Sequence, residues 1–183
     1  MPVNDTPQGY GLISRLFHWL MALAILAMFG IGLWMVSLDY YSPYYHSGRE
    51  FHKSVGILLL GALALRFGWR LANVKPNDDE LGSIERKAAR IAHWSFYPLL
   101  LALMVSGYLI STADGRAIDV FGWFSVPSPG ENKGLEDTAG VIHEYLAYAV
   151  ILFAALHAGA ALKHHIIDRA PTLKRMWSGP PKF

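Results

Sequence analysis

The stretch GVIHEYLAYAVILFAALHAGAALKHH, from Gly140 to His165, decides how the rest of the chain is read. Tyr145 to Leu162 gives 18 residues without Asp, Glu, Lys or Arg, close to the length that crosses a bilayer as a helix. His143 and His157 stand near its two ends, 14 residues apart. At about 100° per residue that separation returns to within about 40° of the same helix face and rises about 21 Å along the axis. One face of one membrane helix therefore carries an imidazole at each side of the bilayer. An ionisable side chain inside a span is costly and points to function.

Three more spans lie upstream. Leu16–Leu38 and Ile91–Ala113 are 23 residues each without a charged side chain. Ser54–Leu65 is only 12 residues between Lys53 and Arg66, and lengthens to His52–Ala72 if Arg66 is accepted inside. The expectation is one integral-membrane domain over 1–183, an all-α transmembrane four-helix bundle with spans at about 13–38, 50–72, 88–113 and 140–167. Only 16% of residues are charged, against about 25% in soluble proteins, and so apolar a chain is not disordered. The absence of cysteine excludes a disulfide scaffold, an iron–sulfur protein, a thiolate zinc site and haem attached through a Cys-containing motif. A net charge of +2 is too small for nucleic-acid binding. The first span is too long for a signal-peptide core, and Leu38-Asp39-Tyr40-Tyr41 is no small-residue cleavage site. It reads as a retained anchor.

Lys and Arg set the orientation. With the N-terminus inside, the inner segments hold Arg15, Arg66, Arg70, Lys75, Arg86, Lys87, Arg90, Lys163, Arg169, Lys174, Arg175 and Lys182, against Arg49, Lys53, Arg116 and Lys133 outside. Both termini are expected in the cytoplasm of a bacterial inner-membrane protein. Residues 39–51 and 114–142 form the outer loops, and 77–85 the polar inner one. The aromatic run Val120-Phe121-Gly122-Trp123-Phe124 is expected to lie along the membrane interface, where Trp sits well. Ser83 is a candidate N-cap of the third helix.

Depth then sorts the histidines. His18 and His157 lie near the inner ends of the first and fourth helices, and His52 and His143 open the second and fourth at the outer side. Two bis-histidine haems stacked across the bilayer would use all four as axial ligands to iron. A porphyrin lying against its helix needs small neighbours one turn away, and residues at i+4 share the face of residue i. The positions four residues after His18, His52, His143 and His157 are Ala22, Gly56, Ala147 and Ala161. His46, His93, His164 and His165 are followed there by Glu50, Tyr97, Asp168 and Arg169. The competing explanation is that Ala and Gly are common in membrane helices.

Arg66 stands 14 residues after His52, so it shares that face at the inner layer and is placed to pair with a haem propionate. His93, followed by Phe96 and Tyr97, reads as a hydrogen-bonded histidine, with a quinone or propionate contact as the alternative. His164, at the inner boundary with His165, is a candidate proton donor to quinone, because imidazole titrates near neutrality.

These pieces together resemble the bacterial cytochrome b561 family. The matching residues are Ser14-Arg15-Leu16-Phe17-His18-Trp19-Leu20, His52-Lys53-Ser54-Val55-Gly56, Leu65-Arg66-Phe67-Gly68-Trp69-Arg70, Ala92-His93 through Gly107, Phe121-Gly122-Trp123 with Pro127, and His143-Glu144 to His157 followed by Lys163-His164-His165. The resemblance covers about residues 10–176. It implies two b-type haems ligated by the first, second and fourth helices, and electron exchange with the quinone pool, ubiquinone in particular. The best-characterised type oxidises superoxide at the outer surface. The outer segments here carry Asp39, Glu50, Asp114, Asp119, Glu131, Glu136, Asp137 and Glu144 against four bases. An acidic face opposes steering of an anion and suits a cationic periplasmic partner protein. Two alternatives stay open: an accessory haem-b subunit linking a peripheral dehydrogenase or hydrogenase to quinone, and a non-redox bundle.

Overall fold

The computed structural model describes residues 2–77 and 80–179. Its frame is four long helices: α1 (Leu12–Val36), α2 (Tyr45–Ala72), α3 (Ser83–Thr112) and α4 (Leu135–Ile166). Each contains a stretch long and apolar enough to cross a membrane, as the sequence leads one to expect. A short antiparallel hairpin, β1 (Ile118–Val120) with β2 (Phe124–Val126), follows α3, and a six-residue helix, α5 (Thr172–Trp177), follows α4.

Three helices begin earlier than the apolar spans. α2 starts at Tyr45, α3 at Ser83 and α4 at Leu135. Hydropathy registers only what lipid needs to cover, whereas these first turns are polar and project beyond it. Glu136 and Asp137 sit in the first turn of α4, where carboxylates complement the helix dipole. Gly82, not Ser83, is the N-cap of α3. Glu85, three residues on, reaches back so that its carboxylate accepts the Gly82 N–H at 3.4 Å, the returning half of a capping box. Asp78 and Asp79 of the inner loop, and Lys182 of the inner charge set, lie outside the described residues.

α1 packs on α2, α2 on α3 and α3 on α4, while α4 meets α1 and α2 only sparsely. One buried cluster joins the bundle, with Met21, Leu63, Leu100 and Val150 each contributed by a different helix. Phe17, Ile25, Phe96 and Leu103 pack against it. Many leucines point outward, such as Leu20 and Leu156, each 64% exposed. In lipid such exposure carries no hydrophobic penalty, and helices associate instead through close packing and interhelical hydrogen bonds.

At one end, the hairpin docks through Ile118 and Val120, both buried. The Ser54 hydroxyl donates to the Asp119 carbonyl at 3.2 Å. Phe121 and Gly122 both have positive φ, as the tight turns of hairpins require, and the Asp119 carboxylate accepts the Gly122 N–H at 2.8 Å. The aromatic run is thus a hairpin tip with Trp123 exposed.

The opposite end is closed by chain ends that hold one another. Buried Asp5 accepts the Gly11 N–H at 2.7 Å and the Ser14 hydroxyl at 2.8 Å. The Trp69 indole donates to Ser14 Oγ at 3.0 Å, and the Trp19 indole to the Met176 carbonyl at 3.0 Å. Arg175 reaches the Asn77 carbonyl at 2.7 Å, and the Asn77 N–H donates to the Pro7 carbonyl at 2.9 Å. The pivot is Gly11, where a Cβ would lie 2.4 Å from backbone atoms of Val3 and Asn4. Gly11→Ala is therefore expected to unseat the N-terminal segment and to lower the melting midpoint in detergent, by an overpacking cost of about 1–3 kcal/mol. Gly61→Ala, where an added Cβ meets nothing within 4 Å, serves as the control that leaves the midpoint level or higher. Equal midpoints for the two variants would contradict the close approach at Gly11.

Candidate functional site

Two histidine pairs occupy opposite ends of the bundle. His18 of α1 and His157 of α4 face each other at the end where the chain termini meet, with ring centroids 6.4 Å apart and planes at 62°. His52 of α2 and His143 of α4 do so at the hairpin end, with centroids 6.3 Å apart and planes at 76°. In both pairs the parent helices pack sparsely, so the imidazoles reach across a gap.

Each gap has the span of a haem iron. A ligating imidazole nitrogen sits about 2.0 Å from a transition metal, so two such bonds, with the half-ring behind each, place the centroids about 6 Å apart. Both pairs have that span. The His52 Nδ1 is buried without a hydrogen-bond partner, and buried polar atoms in that state call for an explanation such as a bound ion or group. A Cβ added at Gly56 or Gly140, one turn from His52 and His143, would meet nothing within 4 Å. These residues fit an iron-bearing planar group.

The supports of the four rings differ. The His143 Nδ1–H donates to the Leu103 carbonyl at 2.9 Å. Ser106 Oγ lies 3.1 Å from the same nitrogen and donates its own proton to that carbonyl at 2.8 Å. With Nδ1 so engaged, the lone pair of His143 is on Nε2, the arrangement by which outer partners orient a metal-binding histidine. α3 comes this close because of Gly107, where a Cβ would stand 3.0 Å from His143 Cε1. Spacing along the sequence does not tie Ser106 or Gly107 to His143. A small and a polar residue side by side in an apolar span are the available signal, since such residues mark close helix contacts in membranes.

At the other pair, Arg66 Nη2 donates to His18 Nδ1 at 3.3 Å. A guanidinium has no lone pair to offer, so Nδ1 is the acceptor here. His157 is further flanked by the rings of His93 at 5.2 Å and Phe96 at 5.4 Å.

His164 lies away from both pairs, at the last turn of α4. It donates to the Asp168 carboxylate at 2.6 Å, and Asp168 also accepts from the Lys163 ammonium at 2.8 Å. Lys163 reaches on to Glu85 in the first turn of α3 at 2.6 Å. The Asp168 carboxyl is held below the usual carboxylate range, first by Lys163 and then by His164. Glu85, His164 and Asp168 are close enough to share a cation, but the Lys163 ammonium already bridges the two carboxylates. His46, in the first turn of α2, meets the rings of Tyr40 and Tyr45 edge-on, apart from either pair.

A membrane bundle with paired imidazoles and no cysteine is the framework of a b-type cytochrome, in which haem is held without covalent attachment. The chain belongs to the prokaryotic cytochrome b561 family, whose profile matches residues 9–179. It is 48% identical to cytochrome b561 homolog 2 of Escherichia coli (strain K12) over 178 residues, 96% of this chain and 95% of that protein. It is 30% identical to the probable superoxide oxidase CybB of Yersinia pestis over 174 residues, 91% and 94% of the two chains. It is also 30% identical to cytochrome b561 homolog 1 of Escherichia coli (strain K12) over 132 residues, 70% and 73%. The protein is thus a multi-pass inner-membrane electron-transfer protein of a b-type haem family.

Gly107→Ala gives a direct check on the support of His143. The added methyl must push the ring by a few tenths of an ångström and strain its bond to Leu103. The expected result is a shifted or broadened haem absorption band with insertion into the membrane intact. An unchanged spectrum would mean that the Gly107 contact does not position the ring.

Proposed function

We propose that this protein is a dihaem cytochrome that exchanges electrons between a partner at the hairpin side of the membrane and membrane quinone, ubiquinone being the expected carrier. The observation that carries the reading is the pair of histidine couples, each spaced for one iron and set at opposite ends of one bundle. In this assignment His52 and His143 hold the outer haem, and His18 and His157 the inner one. The excess of Lys and Arg at the other end supports a periplasmic hairpin and cytoplasmic termini.

When bound, each haem supplies reversible one-electron chemistry at its iron. The chain's own residues do the rest. The Leu103 carbonyl and Ser106 keep the His143 proton on Nδ1 and its ligating nitrogen turned inward. At His18 a ligating Nε2 requires the proton on Nδ1, so that nitrogen no longer accepts from Arg66. The guanidinium is then free to pair with an acid, and a propionate of the inner haem is the group we assign to it. His164, hydrogen-bonded to ionised Asp168, is suited to hand a proton to quinone, whose full reduction takes up two protons and two electrons.

The relative named a probable superoxide oxidase raises superoxide as the outer partner. The charges favour another class. Lys53 is tied to Glu50, and Arg116 to Asp114, so half of the four outer bases are neutralised within the face. An acidic surface repels an anion and attracts a cationic protein. The same excess of acids favours, as a second reading, service as the haem-b subunit of a peripheral enzyme.

His52→Ala or His143→Ala is expected to remove one haem and leave the other, read as haem per chain with the remaining band intact. Loss of both haems equally, or of neither, would contradict the pairing. Purified protein offered quinol and superoxide separately is expected to be reduced by quinol and to respond weakly to superoxide. Fast reduction by superoxide would reverse the choice of outer partner.

A further inference from the structure

A cavity of about 240 Å³ opens between the end of α2 and the start of α3, lined by Arg70, Leu71, Asn73, Lys75, Arg90, His93 and Trp94. Three permanent cations converge on it, and no carboxylate among the described residues lines it. Arg70 lies in the last turn of α2 and is partly buried, while Arg90 lies in the second turn of α3. Neither makes an ion pair or hydrogen bond in the described structure, although acids tie down other cations at this end, Arg175 with Glu80 and Lys163 with Glu85 and Asp168. Two unpaired guanidiniums held around one cavity repel each other, and an anion between them would remove that cost.

The rest of the lining says which kind of anion. Leu71 is 62% and Trp94 45% exposed, and the neighbouring Ile91 and Leu65 are also exposed on these two helices. The cationic cavity is therefore continuous with apolar surface that faces lipid. Trp94 is held by Phe67 and Tyr97, with ring centroids 6.2 and 5.9 Å away, and indole is favoured at the depth of the headgroups. The volume is below the usual range of about 300–1,000 Å³ for sites that enclose a whole small molecule, and suits a headgroup whose chains remain outside. Quinone, which is neutral, would leave the two arginines uncompensated.

We propose that this cavity binds the phosphate headgroup of an anionic phospholipid, with Arg70 and Arg90 as the phosphate ligands, Lys75 adding charge and the acyl chains lying along Leu71, Ile91 and Trp94. Basic pockets between membrane helices are suited to such headgroups. The site does not depend on the assignment of quinone or of the outer partner.

The test uses the haem-loaded protein in mixed micelles of equal phosphatidylglycerol and phosphatidylcholine, with retained lipid counted by native mass spectrometry. The protein is expected to retain phosphatidylglycerol preferentially. Arg90→Gln, at an exposed position, is expected to lower the preference about fivefold, the share of one cation at a membrane surface. Arg70→Gln/Arg90→Gln is expected to abolish it, with haem per chain and the absorption spectrum unchanged. Four results would each overturn the proposal: no preference in the parent protein, a preference kept by the double variant, displacement of the lipid by millimolar inorganic phosphate (a site for free anions), or loss of haem from the variants (arginines that hold a propionate).

Discussion

Two imidazoles whose centres stand 6.3–6.4 Å apart across a helix gap cannot be supplied by helices in intimate contact. The rest of the bundle follows from that constraint. α4 carries one ring of each pair and touches α1 and α2 sparsely, while it leans on α3. α3 carries neither paired ring but supplies the support, with the Leu103 carbonyl, Ser106 and the notch at Gly107. Small residues stand beside the histidines where bulk would close the gap. Met21, Leu63, Leu100 and Val150 then lock the four helices together, so the gaps at the two ends do not collapse into one another.

Lipid as the solvent explains why so thin a core is enough. Outward leucines lose nothing by facing acyl chains, and specificity rests on packing and on a few polar ties. Those ties are concentrated where the chain leaves the apolar layer. The end with the termini is woven from Asp5, Ser14, Trp19, Trp69, Asn77 and Arg175, whereas the other end is closed by the docked hairpin. Charge divides along the same axis, with Lys and Arg in excess at the end with the termini and acids in excess at the hairpin end.

Much of this was legible in the sequence because helical periodicity and bilayer thickness act on it directly. The 14-residue interval between His143 and His157, and the small residues at Ala22, Gly56, Ala147 and Ala161, were enough to select four of eight histidines. The structure brings those four together in two couples. Hydropathy places the starts of α2, α3 and α4 about five residues late because it does not register their polar first turns. The sequence points to Ser83 as the cap and the structure to Gly82, because the decisive residue is Glu85, whose role appears only when it folds back. The hairpin is not legible in the sequence, because its strands are three residues each and carry little periodicity. The bonds of Trp19 to Met176 and of Trp69 to Ser14, and the support of His143, depend on partners far apart in sequence, and no local pattern encodes them.

Each histidine couple is proposed to hold one iron. A stepwise potentiometric titration of the purified protein, followed by low-temperature electron paramagnetic resonance, tests it most directly. Two separate one-electron transitions are expected, each with the low-spin signature of two imidazole ligands, one lost in His18→Ala and the other in His52→Ala. A single transition, or a high-spin or mixed-ligand signal in the parent protein, would contradict it.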